Sequence, residues 1–239
     1  MRVLSISNSF GADANRYLHQ IAKAVGDKLE IVTLYIGGCT MERHYRNMLS
    51  GEAAYSMYYN GQDTGFFVSM EQALLSRKWD VIVLQQQSSS SARPDTFEPY
   101  DVALFDYVKE CAPKARILLQ QTWAYETGSE KLAATGYETP EAMFADIEKS
   151  YDACHKRLGT DGIIPSGKLF MDMLHNGIDR VHRDTFHASF GLGRYALGLL
   201  WYRALTGKPV ADNSFCDLDE PATAQQMALA RKLVDAFEL

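Results

Sequence analysis

The stretch DVIVLQQQ, residues 80–87, decides the fold class. Its apolar residues occupy successive positions, so both faces of the extended chain are apolar. This pattern is typical of a parallel strand buried between two layers of helices, whereas a strand with one wet face alternates between apolar and polar residues. Three glutamines follow the apolar run, which places polar side chains at the carboxyl end of the predicted strand.

Working outward from this run, the chain alternates between strand and helix about five times. The other predicted strands are residues 2–6, 28–38, 115–123 and a short one within 162–167. Apolar residues at helical spacing predict helices at 12–26, 40–51, 70–79, 98–111, 139–158, 167–175, 192–207 and 220–237. Such alternation predicts a three-layer α/β/α sandwich with a five-stranded parallel sheet of flavodoxin-like order. A single domain over residues 1–239 is expected.

One segment departs from this alternation. AAYSMYYNGQDTGFF, residues 53–67, has an Asn-Gly pair between two aromatic runs, which predicts a β-hairpin. We expect this hairpin to be an excursion from the main sheet. A lid over a site and a contact between two copies of the chain are both open interpretations of it.

Composition and charge limit the classes of partner. Hydrophobic residues make up 46% and charged residues 23% of the 239 residues, which is ordinary for a globular protein with a sizeable core. The net charge is −6 and no run rich in lysine or arginine occurs, which argues against binding to nucleic acid or to a membrane surface. We therefore expect a small-molecule partner. The sequence does not predict an oligomeric state.

The cysteines and the N-terminus indicate a compartment. The four cysteines are far apart and form no C-x-x-C pair, so neither a zinc site nor a disulfide framework is predicted. Met1 leads directly into a strand-like run that is too short for a signal peptide, and no apolar stretch reaches the length of a membrane span. The sequence predicts a cytoplasmic protein, unless a leader has been removed from it.

Polar residues follow each predicted strand, at the sheet edge where open α/β folds bind ligands. These segments are SNSF at 7–10, GGCT at 37–40, QQQS at 85–88, TWAY at 122–125 and, before a late helix, DTFH at 184–187. They supply the parts of an acyl-transfer site. Ser9 is the candidate nucleophile, His187 its base, and Asp184 the carboxylate that orients the base.

An oxyanion hole needs hydrogen-bond donors near the nucleophile. The backbone amides of Ser9 and Gly38 are candidates, and a side-chain amide from Gln86 or Gln87 completes the set. A glycine suits this place because the absence of a Cβ allows close approach to its N–H group. Such a mechanism requires no metal and no organic cofactor.

Each of these residues also has a purely structural interpretation. Ser9 suits a turn, and His187 could pack against the following helix, with Asp184 as an acidic residue at that helix start. Trp123 and Tyr125 are core aromatics on the structural interpretation and sugar-stacking residues on the functional one. A metal site is not predicted, since metal sites need three or four converging ligands and these are scattered.

The order of these motifs resembles that of the SGNH hydrolase superfamily of GDSL-like esterases and lipases. More closely, the chain is similar to the bacterial DUF4886 family at SNSF, LYIGGC, WDVIVLQQQS, QTWAY and HASFGLGRYALGLLWY. The sequence departs from the superfamily pattern in two blocks. Ser7 and Asn8 replace the Gly and Asp before the nucleophile, and Gln87, or its neighbour Gln86, stands where the third block has Asn.

The resemblance implies a serine esterase that hydrolyses small acyl esters through an acyl-enzyme. Some carbohydrate esterases similar to this superfamily use Gln in the third block, which suggests O-acetylated carbohydrate as the substrate class. Two other functions fit the same residues. One is a non-catalytic domain that binds a carbohydrate or metabolite, and the other is an acyltransferase that uses the same triad.

Overall fold

The structure, a computed structural model, describes residues 1–239. Its strands are β1 Arg2–Ser7, β2 Glu30–Tyr35, β3 Tyr55–Tyr59, β4 Gln62–Val68, β5 Val81–Leu84, β6 Arg116–Gln120 and β7 Gly162–Ile164. Its helices are α1 Ser9–Asn15, α2 Leu18–Ala24, α3 Met41–Ser50, α4 Met70–Leu75, α5 Tyr100–Cys111, α6 Glu130–Ala134, α7 Pro140–Leu158, α8 Ser166–His175, α9 Leu192–Thr206 and α10 Ala224–Asp235.

One sheet holds all the strands, in the order β4-β3-β2-β1-β5-β6-β7. The five strands β2, β1, β5, β6 and β7 run parallel, and their order is the flavodoxin-like one predicted. The chain winds from β1 to β2 on one side and later to β5 on the other side. The carboxyl end of β1 is therefore the point where the direction of winding reverses, which is where doubly wound folds bind ligands.

The sheet has seven strands rather than the five expected, because the hairpin adds two strands to the five parallel ones. Strand β3 pairs antiparallel with β2, with Tyr35 opposite Ser56, and β4 adds the outer edge. The segment 53–67 is therefore not an excursion from the main sheet. Its strand and turn signals were visible in the sequence, but the pairing with β2 depends on the tertiary fold, which local pattern does not report.

The outer strand β4 has an irregular edge that disfavours pairing with a further strand. The register between β3 and β4 shifts between Ser56 and Tyr58, which marks a β-bulge. Gly65 lies within it at φ = 72°, a left-handed conformation that glycine adopts without steric cost. A bulge bends an edge strand and blunts it as a template for another strand. Phe66 and Phe67, 68% and 65% exposed, project from this bulged edge.

The helices cover both faces of the sheet. Helices α1, α2, α8 and α10 pack against α9, while α3, α4 and α7 pack around α5. Helix α9 is apolar over most of its surface, as expected for a helix enclosed by others, and Tyr195, Leu199 and Trp201 on it are fully buried. None of the helices combines the length and the apolarity that a membrane crossing requires.

The first helical segment differs from its predicted bounds of 12–26. It begins at Ser9 and breaks into α1 and α2 near Arg16. Asn8 caps α1, because its side-chain oxygen accepts a hydrogen bond of 3.0 Å from the backbone N–H of Phe10. Ser9 is therefore the first helical residue rather than a member of a loop.

Candidate active site

Three polar side chains meet beyond the carboxyl end of β1. Ser9 opens α1 immediately after that strand, and its Oγ lies 2.9 Å from Nε2 of His187. The other ring nitrogen, Nδ1, lies 2.8 Å from Oδ2 of Asp184. The structure thus brings together the three residues that the sequence assigns to nucleophile, base and carboxylate.

The carboxylate of Asp184 binds both the ring and the backbone of His187. Its Oδ1 accepts a hydrogen bond of 2.9 Å from the backbone N–H of His187. Partial burial raises the pKa of Asp184, but the hydrogen bonds from the ring and backbone of His187 outweigh it and hold the pKa below its ordinary range. The ionised carboxylate favours the proton on Nδ1, which leaves Nε2 to accept from the Ser9 hydroxyl.

The turn that carries His187 is held by the segment that follows β6. Thr185 has φ = 75°, which costs a β-branched residue on the order of 1–3 kcal/mol, so neighbouring contacts must maintain it. The backbone N–H of Glu126 donates to the Thr185 carbonyl at 2.8 Å, and Nε1 of Trp123 donates to the Phe186 carbonyl at 2.8 Å. The Phe186 ring also packs on the imidazole of His187, with centroids 3.8 Å apart.

Trp123 and Tyr125 do not form a sugar-stacking surface, and the core interpretation is the correct one. Trp123 is completely buried and stacks on Phe10, with ring centroids 3.9 Å apart. Tyr125 is 3% exposed, and its hydroxyl lies 2.8 Å from Oγ of Ser88. Their position after β6 predicted proximity to the site, but it did not predict which way the rings point. Trp123 braces Phe10, beside the nucleophile, against the His187 turn.

Two backbone N–H groups near Ser9 have no acceptor within the chain. Ser9 is the first residue of α1, so its own N–H has no partner in the helix, and the N–H of Gly38 has none either. Asn8 connects the two segments, because its Nδ2 donates to the Cys39 carbonyl at 3.1 Å. The sequence pattern assigns no role to Asn8. Its place before a candidate nucleophile was the only signal.

The two candidate glutamines have different surroundings. Gln86 is fully buried, and its Nε2 donates to the Thr96 carbonyl at 2.8 Å while its Oε1 accepts from the backbone of Met41. Its amide is committed to the fold, so the prediction that Gln86 reaches an oxyanion is wrong. Gln87 is partly exposed, and its Oε1 accepts from Ser89 Oγ at 2.7 Å, which leaves Nε2 without a partner.

His182 lies close to the site but belongs to the core. It is 3% exposed, and Nε2 lies 3.0 Å from the Ala124 carbonyl, to which it donates. Burial lowers the pKa of His182 to about 4, with smaller contributions from Arg180 and His187, although the hydrogen bond to Ala124 acts in the opposite sense. It is neutral at physiological pH and holds the segment after β6 against the turn that carries His187.

The comparisons with known proteins agree with this fold. The family model described as "Domain of unknown function (DUF4886)" matches residues 2–235. The crystal structure of a DUF4886 family protein from Bacteroides uniformis is similar over 98% of this chain and 93% of that one, with 29% sequence identity and a TM-score of 0.90. No curated protein matches the sequence.

More distant structures share the fold. A proposed SGNH hydrolase from Slackia heliotrinireducens is similar over 86% of this chain and 98% of that one, with 20% identity and a TM-score of 0.63. The acetylxylan esterase Axe2 from Geobacillus stearothermophilus is similar over 85% of this chain and 91% of that one, with 14% identity and a TM-score of 0.50. The architecture is therefore that of SGNH hydrolases, as the motif order predicted.

Proposed function

The chain belongs to the DUF4886 family, and from the contacts among Ser9, His187 and Asp184 we propose that it is a serine esterase of the SGNH type. The observation that carries the proposal is the continuous hydrogen-bonded line from Ser9 Oγ through both nitrogens of His187 to Asp184. A buried turn serine or a packing histidine does not need such a line. A general base that is itself oriented by a carboxylate is what activates a serine hydroxyl.

The reaction has two halves. Ser9 Oγ attacks the ester carbonyl carbon while Nε2 of His187 takes the hydroxyl proton, and Asp184 stabilises the imidazolium. The imidazolium then protonates the leaving alkoxide, which departs as the alcohol and leaves the acyl group on Ser9. Water attacks this acyl-enzyme, His187 takes its proton, and the carboxylic acid leaves as the Ser9 hydroxyl re-forms.

The oxyanion of each tetrahedral intermediate needs donors that are free in the resting protein. The unpartnered N–H groups of Ser9 and Gly38 and the unpartnered amide nitrogen of Gln87 are the donors we propose. Asn8 holds the segment of Ser9 against the segment of Gly38 by its hydrogen bond to the Cys39 carbonyl. Gln87 keeps its orientation because Ser89 and the backbone of Ser90 hold its oxygen.

We propose small acyl esters, with O-acetylated carbohydrate as the first class to examine. The support is analogy at the level of the fold, because Axe2, which has the same architecture, is an acetylxylan esterase. The aromatic pair after β6 gives no support, since both rings are buried. The substrate proposal is therefore tested separately from the chemistry.

We expect Gly38→Ala to lower kcat about 10-fold or more, while Gly37→Ala stays near wild type. Gly38 has φ = 60°, which an alanine adopts only with strain, so the turn rearranges and its N–H moves. An alanine Cβ at Gly37 meets nothing nearer than the Tyr35 hydroxyl at 3.4 Å, an ordinary contact. Steady-state hydrolysis of p-nitrophenyl acetate measures both variants. If the two substitutions lowered kcat equally, Gly38 would not be a donor of the oxyanion hole.

A fluorophosphonate probe tests the proposal without knowledge of the substrate. The probe forms a covalent adduct only with an activated serine, so we expect one adduct by intact mass, mapped to Ser9. Ser56→Ala is the matched control, because Ser56 Oγ contacts a carboxylate, that of Asp63 at 3.1 Å, but no imidazole. This variant is expected to label like wild type, and Ser9→Ala is expected not to label. Absence of labelling in wild type would favour a binding domain over an enzyme.

A further inference from the structure

A second carboxylate, that of Asp13, is buried between the helix of Ser9 and the loop of His187. Asp13 lies on α1, one helical turn beyond Ser9, and is 1% exposed. An ionised carboxylate in such a place must be paired and hydrogen-bonded, and this one is. Nη1 of Arg183 lies 3.0 and 2.9 Å from its two oxygens, and Nε of Arg194 lies 2.8 Å from Oδ1.

The contacts of Asp13 lead to the main chain at Ala188, directly after His187. The N–H of Ala188, the next residue, donates to Oδ2 of Asp13 at 3.2 Å. Nη1 of Arg183, already on Asp13, also donates to the Ala188 carbonyl. The backbone N–H of Arg183 donates to the His187 carbonyl at 3.0 Å. Asp13 therefore holds the base only through the main chain at Ala188, whereas Asp184 holds it through the ring and the N–H of His187 itself.

We propose that Asp13 is a positioning residue that sets the distance between Ser9 Oγ and His187 Nε2. This inference rests on the proposed function and deepens it. Ser9 and Asp13 are on one rigid helical turn, so the bonds from Asp13 to Ala188 and Arg183 fix the His187 loop relative to the nucleophile. Asp184 is on the same loop as His187 and moves with it, so it cannot fix that distance.

The same charge cluster contains a matched control for Asp13. Asp219 accepts from Nε of Arg16 at 2.8 Å and from Nη1 of Arg194 at 2.9 Å, so it lies between these two arginines in the line of alternating charges that runs from Arg183 to Arg16. It contacts two arginines, as Asp13 does, but no residue of the His187 loop. Loss of either carboxylate leaves one arginine without its carboxylate partner, Arg183 or Arg16, while Arg194 keeps the other, and only loss of Asp13 frees the loop.

The test compares Asp13→Asn with Asp219→Asn in the full chain. Both variants are expected to lower Tm. Asp13→Asn is expected to reduce kcat for p-nitrophenyl acetate about 10- to 100-fold with KM within about 2-fold, because a misplacement of about 1 Å costs up to about 100-fold in rate. Asp219→Asn is expected to keep kcat within about 2-fold. Equal losses of kcat would show that Asp13 acts through general stability alone.

A second readout separates this inference from the esterase proposal. The 15N resonance of His187 Nε2 reports its hydrogen bond with Ser9, so Ser9→Ala shifts it whether or not the protein has activity. We expect Asp13→Asn to shift it to nearly the same value and Asp219→Asn to leave it in place. An unchanged resonance in Asp13→Asn overturns the inference even if the esterase is real.

A milder variant covers the case in which Asp13→Asn does not fold. Arg183→Met leaves the buried carboxylate bonded to Arg194 and to the Ala188 N–H, but it removes the Nη1 atom that bridges Asp13 and the Ala188 carbonyl. We expect the same direction of change in kcat and in the Nε2 resonance. Wild-type values for both would contradict the inference.

Discussion

Ser9→Ala is expected to lower kcat/KM for p-nitrophenyl acetate by at least about 1,000-fold, the scale of losses when a triad nucleophile is removed. The substitution removes the Ser9 Oγ atom, which lies 2.9 Å from Nε2 of His187. Alanine has a helix propensity at least as high as that of serine, and Ser9 is only partly buried, so Tm is expected to stay within a few degrees.

Steady-state kinetics and thermal unfolding on the same preparation measure this prediction. Ser56→Ala, which alters a hairpin serine that contacts Asp63, is the control and is expected to keep wild-type kinetics. A rate for Ser9→Ala within a few-fold of wild type would exclude Ser9 as the nucleophile. A collapse of Tm together with activity would instead assign the serine to the fold.

The second large effect is a loss of stability in mild acid, caused by two buried histidines. Burial lowers the pKa of His44 to about 3, with a smaller contribution from Arg43, and burial lowers that of His182 to about 4. In the unfolded chain both histidines have a pKa of about 6.5. Between about pH 6.5 and about pH 4 the unfolded state therefore binds more protons than the folded state, so the free energy of unfolding falls as pH falls.

Two such groups give a slope that approaches about 2.7 kcal/mol per pH unit near pH 5. Urea unfolding at a series of pH values from 8 to about 5 measures it, above the range in which most carboxylates of pKa about 4 titrate. His182→Gln, which retains a donor for the Ala124 carbonyl, is expected to roughly halve the slope. His175→Gln is the control, because the His175 side chain is 58% exposed. A flat profile from about pH 6.5 to about 5 would contradict the neutral, buried state of both histidines.

The layered fold and the parallel strand order follow from short-range pattern. DVIVLQQQ is apolar on both faces, and the structure places its apolar part, β5, between two layers of helices. The strand itself ends at Leu84, and beyond it the amide of Gln86 donates to the Thr96 carbonyl. The sequence pattern did not show that the hairpin joins the sheet, because a helix separates β3 from its partner β2 along the chain.

The candidate site could be predicted only in part. Ser9, Asp184 and His187 could be found because each follows a strand or precedes a helix in a recognisable order, and the sheet brings those ends together. The choice between Gln86 and Gln87 could not be made, because neighbouring residues differ only in the direction of the side chain. The structure decides it through the Thr96 carbonyl, which occupies the amide of Gln86.

Asp13 was beyond the reach of sequence pattern for a different reason. Its partners Arg183, Ala188 and Arg194 are between 170 and 181 residues away along the chain. On a predicted helix near the N-terminus, an acidic residue is ordinarily a solvated surface group. Only the packing of α1 against α9 and the His187 loop makes it a buried carboxylate with arginine partners.

The most direct test of the central claim, that Ser9 and His187 act as one catalytic unit, is a double-mutant comparison. The rates of p-nitrophenyl acetate hydrolysis are measured for wild type, Ser9→Ala, His187→Ala and the variant with both changes. When two residues act as a unit, removal of one lowers the rate about as much as removal of both. We therefore predict that all three variants share nearly the same residual rate. If the losses multiply in the double variant, or if either single variant keeps wild-type activity, the two residues do not form the proposed unit.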